Sequence, residues 1–476
     1  MDIQKYISTW VDAHESELIA DISRLVAIKS VRGDTLEGMP FGEGPAKALG
    51  EALKICAEHG FSVRNYNNYA GSADLCDKET VLDILGHLDV VGEGDGWNTD
   101  PYTATQRDGC LYGRGTDDDK GPVIAALFAM RAVRELGLPM KYNVRLIMGT
   151  DEESGSGDMS YYYSVEKPAP NTFSPDSSFP VYNVEKGNYK PIFTKTWPAE
   201  DALPRVTFFN GGYRINVLPA DARAKVAGIP ADELRARCAP IAEECGVRLT
   251  VTGSENGGEI FISGVAAHAS TPENGICGLT ALLKMLAALP LADCPSTLAL
   301  KQLGEVFPHG DSEGKAAGIA MEDEISGKLT LAFSLLSMDE HGISGQFDSR
   351  IPICATEKNC AGIMEMRLSN LGFAVKGEMR PPHHTPADSP FIKTLLKCFE
   401  QYTGLPGECK FMGGGTYVHD VEGGVAFGAG MPGFRSNLHS ANERLCIRDI
   451  LTACKIFAQV IADMCCETNK WCSFRI

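Results

Sequence analysis

Histidine and carboxylate residues follow the predicted strands of this chain at the points where those strands end. They are His87, Asp89, Asp151, Glu152, Glu153, Asp176 and His439. Three more carboxylates, Asp117, Asp118 and Asp119, precede a predicted helix at 121–137. Open α/β sheets bind ligands beyond the carboxyl ends of their strands. Imidazole and carboxylate groups at such an edge could bind a divalent metal.

Each of these residues also has an ordinary structural interpretation. A single histidine or aspartate at a strand end is usually a cap or a solvated turn, and three aspartates before a helix suit an N-terminus. The glycine-rich stretch 113–121 lacks the spacing of a phosphate-binding loop, and its aspartates would repel phosphate. The coincidence of so many such turns is what favours a metal site.

The adjacent residues Glu152 and Glu153 need separate explanations. Neighbouring side chains of a strand point to opposite faces, so two glutamates at one strand end do not serve the same position. They form either a solvated turn or two different parts of one site.

The elements that must position these residues alternate along the first 185 or so residues. The runs 81–86 and 142–150 predict strands, and 121–137 predicts a helix with Pro122 in its first turn and Gly137 as its stop. Such alternation is typical of an α/β domain with a mostly parallel sheet and helices on both faces.

The pattern of predicted elements changes near residue 187. The segments 205–228 and 328–353 are rich in strand-forming residues, and 278–292 between them is helical. This pattern predicts an inserted α+β domain. The expected domains are a first catalytic part (1–186), a lid or substrate-binding domain (187–380) and a second catalytic part (381–476), in which 443–466 is one long amphipathic helix.

Composition excludes several classes of partner. The formal net charge of −18 argues against nucleic acid and anionic membranes. The amino-terminal residues 1–31 predict an amphipathic helix rather than a signal peptide, and no apolar stretch reaches the roughly 20 residues of a membrane span. The sixteen cysteines include no CxxC pair, which favours reduced thiols in a cytoplasmic protein over structural zinc.

Five sequence blocks together carry a family resemblance. They are "GHLDVVGEGDGWNTDPY", "LYGRGTDDDKGP", "GTDEES", "SPDSSFP" and "NLHSANE". From about residue 10 onward, the chain resembles the dinuclear zinc peptidase family of carboxypeptidase G, acetylornithine deacetylase, aminoacylase and carnosinase, and most of all its bacterial dipeptidase V branch. Gly92 stands where that family often has proline, which removes no ligand.

The resemblance implies a site with two Zn²⁺ ions, for which Mn²⁺ or Co²⁺ could substitute. It assigns His87 and Asp176 to one ion, Glu153 and His439 to the other, and Asp118 to both. Two further acidic residues have catalytic roles in this assignment. Asp89 would accept a hydrogen bond from the second nitrogen of His87, and Glu152 would be the general base.

Residues of the predicted lid complete the expected site by the same resemblance. His268 would stabilise the oxyanion, and Asn216 and Arg350 would hold the substrate. The loop 411–420 resembles the substrate loop, with Gly414, Gly415 and Thr416 as its binding residues. His383, His384 and His419 are interpreted as connector and loop histidines.

The expected function is metal-dependent hydrolysis of dipeptides by an activated water, with a lid that closes over the substrate. One alternative is an N-acyl amino acid deacylase with the same metal centre. Another, from a different class, is a non-catalytic relative that binds peptide or metal. A monomer is expected, because the long inserted domain resembles the branch in which one chain supplies every site residue.

Overall fold

A computed structural model describes residues 2–467 of the chain. Its α-helices are α1 (Ile3–Ala13), α2 (Glu15–Val26), α3 (Glu43–Glu58), α4 (Lys120–Glu135), α5 (Gly157–Val165), α6 (Ala231–Cys245), α7 (Gly278–Ala287), α8 (Pro295–Val306), α9 (Ala361–Asn370), α10 (Pro390–Thr403) and α11 (Ile447–Cys465). Short 3₁₀ helices lie at Glu152–Ser154, Pro272–Asn274 and Tyr417–Asp420.

The strands up to residue 254 are β1 (Ser62–Tyr66), β2 (Ala70–Asp74), β3 (Thr80–His87), β4 (Thr105–Arg107), β5 (Cys110–Tyr112), β6 (Asn143–Gly149), β7 (Asn171–Ser174), β8 (Ser177–Ser178), β9 (Val181–Glu185), β10 (Gly187–Tyr189), β11 (Ile192–Thr196), β12 (Arg205–Gly211), β13 (Val217–Leu218), β14 (Asp221–Ala227) and β15 (Arg248–Ser254). The later strands are β16 (Gly257–Ser263), β17 (Ala267–His268), β18 (Glu322–Asp323), β19 (Gly327–Lys328), β20 (Thr330–Met338), β21 (Gly342–Ile351), β22 (Ala374–Lys376), β23 (Met379–Arg380), β24 (His383–His384), β25 (Cys409–Met412), β26 (Val425–Ala426), β27 (Ala429–Gly430) and β28 (Arg444–Cys446).

The described residues fall into two compact units. Unit 2 consists of Glu185–His383 and the short segment Phe411–Gly414. Unit 1 contains the described residues of Met1–Val184, His384–Lys410 and Gly415–Ile476. Unit 1 is therefore built from chain segments on both sides of unit 2.

The main sheet of unit 1 has a parallel centre. Seven of its strands pair in the order β1-β2-β6-β3-β7-β26-β9. The neighbours β6, β3, β7 and β26 are parallel, and β1, β2 and β9 add antiparallel pairs at the two sides. In the register of β3 and β6, His87 lies opposite Gly149. The segments that follow β3, β6 and β7 therefore start from one edge of the sheet.

The two faces of this sheet are covered unequally. Ile84 of β3 and Leu146 of β6 pack into a large core that includes α1–α4, α10 and α11. The alternate residues Leu85 and Ile147 pack into a small cluster with Tyr162 of α5, a helix of nine residues. Burial on both faces explains why these strands are continuous apolar runs in the sequence.

Unit 2 has a ten-stranded sheet with one helix-covered face. Eight strands pair in the order β15-β16-β14-β12-β20-β21-β10-β23, and β11 and β22 join at β21. In β14 the residues Ala222, Ala224 and Val226 are buried with α6–α9, whereas Asp221 and Arg223 are exposed. This period-2 alternation is what a half-buried strand requires.

These observations confirm the predicted fold class. Unit 1 is α/β with a parallel sheet centre and helices on both faces, and unit 2 is an inserted α+β region. The helix predicted at 121–137 is α4, and the strands predicted at 81–86 and 142–150 are β3 and β6. Among residues 2–467, no helix combines the length and the apolar composition that crossing a bilayer requires.

Two predicted helices were wrong in their extent. The amino-terminal segment forms α1 and α2 rather than one helix, and the two are separated at His14. The helix predicted at 443–466 begins only at Ile447, because Arg444–Cys446 pairs with β5 instead. A strand of three residues is decided by its partner, which the local sequence does not show.

Candidate metal centre

His87, the last residue of β3, lies buried at the centre of the site. Its Nε2 is 2.9 Å from Asp118 Oδ1 and 3.7 Å from Asp176 Oδ2. Its Nδ1 is 3.0 Å from the backbone carbonyl oxygen of Asp89. With the Nδ1 proton donated to that carbonyl, the Nε2 lone pair faces the carboxylates, as a metal-binding imidazole does.

Asp89 holds the turn after β6 rather than the ring of His87. Its Oδ1 and Oδ2 accept the backbone N–H groups of Glu152 and Glu153, each at 3.1 Å. Its Oδ1 is 3.5 Å from His87 Nδ1, beyond the backbone carbonyl that accepts from the ring. The Nδ1 of His87 thus lies nearer to the backbone carbonyl of Asp89 than to the Asp89 carboxylate, which was the expected acceptor.

Asp118 lies between two imidazoles. Its Oδ1 is 2.9 Å from His87 Nε2 and its Oδ2 is 2.9 Å from His439 Nε2. Burial opposes ionisation, but hydrogen bonds from His439 and His87 hold the pKa of Asp118 well below its usual range. One carboxylate that faces two nitrogen ligands has the arrangement of a group shared by two metal ions.

Two sets of three side chains bring their donor atoms together. In each set the atoms lie within 4.8 Å of one another, and the sets are His87, Glu152 and Asp176, and Asp118, Glu153 and His439. His439 Nε2 is 3.0 Å from Glu153 Oε1. The connector and loop histidines named from the sequence, His383, His384 and His419, belong to neither set.

His439 reaches this site from a strained loop. Its φ is 55°, in the left-handed region that few residues other than glycine adopt. Asn437 and Asn442 on either side also have positive φ, at 59° and 61°. Such strain is characteristic of functional sites, where the surrounding contacts enforce the conformation.

The carboxylates of the site repel one another. Burial, reinforced by the nearby Asp118, raises the pKa of Asp176 to about 7. Burial and the neighbouring Asp176 raise the pKa of Glu152 well above its usual value. Two divalent cations would offset this crowding of negative charge. The donor chemistry of two imidazoles and several carboxylates fits zinc, and manganese or cobalt as well.

Glu443 fixes the turn that carries Asp118, a role that the sequence analysis missed. Its buried carboxylate accepts the backbone N–H groups of Gly115, Asp117 and Asp118 at 3.0–3.2 Å. The buried Arg114 donates to it at 2.7 Å. Since Glu443 follows His439 by four residues, it ties both loops together. Its presence in the block "NLHSANE" was the available signal.

Asp119 contacts the end of β3 instead of capping α4. Its side chain makes no cap hydrogen bond, and its Oδ2 accepts the backbone N–H of His87 at 3.1 Å. A Cβ added at Gly86 would collide with that carboxylate oxygen, so glycine lets Asp119 approach the strand. Of the two roles left open for Asp119, the structure shows a neighbour of the site.

Asp158 and Tyr417, whose roles the sequence did not indicate, support the site at the end of β6. Asp158 accepts the backbone N–H groups of Thr150 and Asp151 at 2.6 and 2.9 Å, and the hydroxyl of Tyr417 donates to the same carboxylate. The ring of Tyr417 lies edge-on to His87, with centroids 6.2 Å apart. Burial raises the pKa of Asp158 to about 7.

Within unit 2, the predicted lid residues Asn216 and His268 lie at one small two-stranded sheet. β13 pairs with β17, and the backbone N–H of Ala269 donates to the carbonyl of Asn216 at 2.9 Å. His268 ends β17, and its Nδ1 is 2.6 Å from the hydroxyl of Ser270. A Cβ added at Gly413 would lie 2.7 Å from Ser270 Cβ, so the segment 411–414 runs close to the residues that follow β17.

Arg350 is already paired within unit 2. Its Nε and Nη2 donate to the two carboxylate oxygens of Asp348 at 2.8 and 2.9 Å, and its Nη1 donates to the carbonyl of Gly413. A substrate carboxylate would meet a guanidinium already held by Asp348. Of the predicted loop residues, Gly414 lies in unit 2, whereas Gly415 and Thr416 lie in unit 1. Thr416 is the N-cap of the 3₁₀ helix Tyr417–Asp420.

Comparison with known proteins gives one family and several relatives. The model of peptidase family M20/M25/M40 matches residues 84–463. The YtjP protein of Bacillus subtilis is 34% identical over 459 residues, which cover 94% of this chain and 97% of that protein. The Beta-Ala-Xaa dipeptidase of Lactobacillus delbrueckii subsp. lactis is 30% identical over 461 residues, 95% of this chain and 97% of that one.

A solved structure shows the same fold at low identity. Human carnosine dipeptidase 1 is 17% identical, with a TM-score of 0.57 over 98% of this chain and 99% of that chain.

Proposed function

The chain belongs to peptidase family M20/M25/M40, and from this premise we propose that it is a metal-dependent dipeptidase. The observation that carries the proposal is the position of Asp118 between His87 and His439, with a donor set on each side. The name of the Lactobacillus relative supports dipeptides as the substrate class.

We propose that the site holds two divalent cations, zinc by preference and manganese or cobalt as substitutes. His87 and Asp176 would bind one ion, Glu153 and His439 the other, and Asp118 both. Bound there, the cations would acidify a water molecule and polarise the scissile carbonyl.

Glu152 is the proposed general base. Its side chain belongs to the set with His87 and Asp176, and Asp89 fixes its backbone N–H. It would take one proton from the attacking water and deliver it to the departing amine nitrogen as the C–N bond breaks. One amide and one water thus give one carboxylic acid and one amine, which exchange the remaining proton to become a carboxylate and an ammonium group.

We also propose roles in substrate binding for residues of unit 2 and of the loop that follows its last segment. His268 would donate a hydrogen bond to the carbonyl oxygen, with its ring oriented by Ser270. Asn216 and Arg350 would bind the terminal carboxylate, and the amides of Gly414, Gly415 and Thr416 would add donors. Their positions in unit 2 support these roles. Asn216 contacts Ala269, and His268 contacts Ser270. Arg350 contacts Gly413, which lies next to Ser270.

The test is a substrate panel on protein loaded with zinc or with manganese. The panel contains an α-dipeptide, a β-alanyl dipeptide and an N-acetyl amino acid. We expect hydrolysis of a dipeptide with a free amine, and little hydrolysis of the acetylated compound. Selective cleavage of the acetylated compound would instead identify a deacylase. Tight dipeptide binding with no turnover over hours would identify a non-catalytic relative.

We also propose that the protein is a monomer in the cytoplasm, as the sequence predicts. Light scattering on the purified, metal-loaded protein tests the first point, and a mass of twice 51.3 kDa would contradict it. Cell fractionation tests the second.

A further inference from the structure

A small three-stranded sheet in unit 1 places two cysteines opposite each other. β4, β5 and β28 pair antiparallel in the order β28-β5-β4. In the register of β5 and β28, Cys110 lies directly opposite Cys446. Both cysteines are free thiols in the structure, and they come from distant parts of the chain.

The ladder hydrogen bonds define the spacing of this pair. The N–H of Ile447 donates to the carbonyl of Gly109 at 3.0 Å, and the N–H of Gly113 donates to the carbonyl of Glu443 at 3.1 Å. Hydrogen-bonded and non-hydrogen-bonded pairs alternate along an antiparallel ladder, so Cys110 and Cys446 form a non-hydrogen-bonded pair. Cα atoms in such pairs are about 4.5 Å apart, and disulfides span Cα separations of about 4.4–6.8 Å.

The surroundings keep the two sulfur atoms on one face. The intervening residues Leu111 and Leu445 are buried in the core of unit 1, so the cysteines project from the opposite face. Cys446 is partly exposed and Cys110 is buried. Burial, together with the neighbouring Cys446, raises the pKa of the Cys110 thiol. The core side anchors the strands, which limits how far the sulfur atoms can separate.

We propose that Cys110 and Cys446 are a redox-active dithiol, which a hydroperoxide converts into a cross-strand disulfide. This modification site is independent of the proposed peptidase activity. A reducing cytoplasm would keep the pair as thiols, and a dithiol that reaches the partly exposed Cys446 sulfur would reverse the disulfide.

The proposed oxidation proceeds in two balanced steps. The more exposed Cys446 sulfur attacks one peroxide oxygen, so that the O–O bond breaks and Cys446 becomes a sulfenic acid with release of one water or alcohol. The Cys110 sulfur then attacks the Cys446 sulfur, the S–O bond breaks, and a water leaves with the Cys110 proton. Two thiols lose two electrons, and the peroxide gains them.

The bond would connect the two loops of the metal centre. β5 is followed by the turn with Asp118, and β28 is preceded by the loop with His439. A disulfide here closes a very long loop of the unfolded chain, and such cross-links stabilise the folded state. The oxidised protein should therefore unfold at a temperature several degrees higher than the reduced protein.

The experiment treats the reduced full-length protein with a slight excess of hydrogen peroxide. Remaining thiols are then alkylated with N-ethylmaleimide, and a non-reducing digest is examined by mass spectrometry. We expect one dominant cross-linked peptide that joins the segments with Cys110 and Cys446, two hydrogens lighter than the separate peptides. Dithiothreitol should remove it. Because this measurement uses the unaltered chain, it does not depend on any variant folding.

Matched variants distinguish this pair from other thiols. Cys446→Ser and Cys110→Ser should each abolish the cross-link and the rise in unfolding temperature. Cys354→Ser, at an exposed cysteine of unit 2, should leave both unchanged. Recovery of Cys110 and Cys446 as separately alkylated or separately oxidised peptides would overturn the proposal. A dominant cross-link between any other cysteines would overturn it too.

Discussion

Asp89 and Glu443 act alike, because each carboxylate accepts backbone N–H groups beside the proposed metal ligands. Asp89 accepts from Glu152 and Glu153, and Glu443 accepts from the turn with Asp118. Neither belongs to a donor set. Residues that orient ligands in this way commonly change metal affinity or activity by 10- to 100-fold when they are replaced.

Replacement of Glu152 tests whether this residue acts as a general base or as a metal ligand. In Glu152→Gln we expect kcat to fall by roughly 10²–10⁴-fold, because the proton acceptor is lost. Metal content, measured by plasma mass spectrometry, should stay at the natural level. Glu153→Gln is the matched control, and it should bind fewer metal ions. Loss of metal from Glu152→Gln would show that Glu152 is a ligand.

Glu443→Gln should weaken metal binding without removing any ligand. The amide places an N–H group where Gly115, Asp117 and Asp118 need an acceptor, and it leaves Arg114 without its buried anion. We expect metal affinity to fall about 10- to 100-fold in a competition assay with a chelating dye. Glu37→Gln, at an exposed position, should leave the affinity unchanged.

Asp83 gives a pH dependence of stability away from the metal ligands. Burial raises its pKa from 3.8 to about 6, although the N–H of Ala169 donates to it at 2.8 Å. The folded state therefore binds more protons between these pH values, and stability falls as pH rises from about 4 to about 6.

Compared with Asp83→Asn, the natural protein should lose about 2 kcal/mol of unfolding free energy across that range, since each pKa unit is worth about 1.4 kcal/mol and the group is partly titrated at both ends. Urea titrations in the presence of a chelator measure this difference while excluding metal release. Parallel curves for the two proteins would contradict the prediction.

Glycines at the ends of β3 and β6 allow neighbouring side chains to pack closely against these strands. Gly86 leaves room for Asp119, and Gly149 leaves room for Tyr417 and Asp158. The parallel register puts these ends side by side. A larger residue than glycine at either strand end would therefore displace side chains next to the proposed ligands.

Gly149→Ala tests this packing. The added methyl would collide with the Tyr417 hydroxyl and the Asp158 carboxylate, and overpacking of this kind costs about 1–3 kcal/mol. We expect a lower unfolding midpoint and reduced turnover. Gly50→Ala in α3 is the control, because no atom lies within 4 Å of its added Cβ and alanine favours the helix.

The sequence correctly predicted the elements whose hydrophobic pattern is strong within the element itself. β3, β6 and α4 have long apolar runs or a clear helical face, and the carboxylates at their ends identified the ligand candidates. The apolar, glycine-rich region 423–430 forms only the two-residue strands β26 and β27, whose ends the local sequence does not mark. Glu443 and Tyr417 act through partners distant in sequence, which local patterns do not specify.

At the scale of the whole molecule, both donor sets lie in unit 1. All six of their residues come from the segments before Val184 and after Gly415. The net charge of −18 adds long-range attraction for cations. Bound metal should thus stabilise unit 1 directly.

Chelation should lower the unfolding temperature of the protein. A ligand present at about 1,000 times its Kd stabilises the folded state by about 4 kcal/mol. Calorimetry before and after treatment with EDTA measures the loss, and added zinc or manganese should restore it. In Asp118→Asn the response to EDTA should be much smaller. An unchanged midpoint in the natural protein would argue against a structural role of the metal.

The proposed contribution of His439 from the loop ahead of α11 would also set when the enzyme can first act during its synthesis. A ribosome that has translated the chain through unit 2 has produced His87, Asp118, Glu152, Glu153 and Asp176, but neither His439 nor Glu443. The nascent protein therefore holds an incomplete ligand set throughout most of its translation. Peptide hydrolysis would begin only once the segment after unit 2 has emerged and has brought His439 to the other proposed ligands.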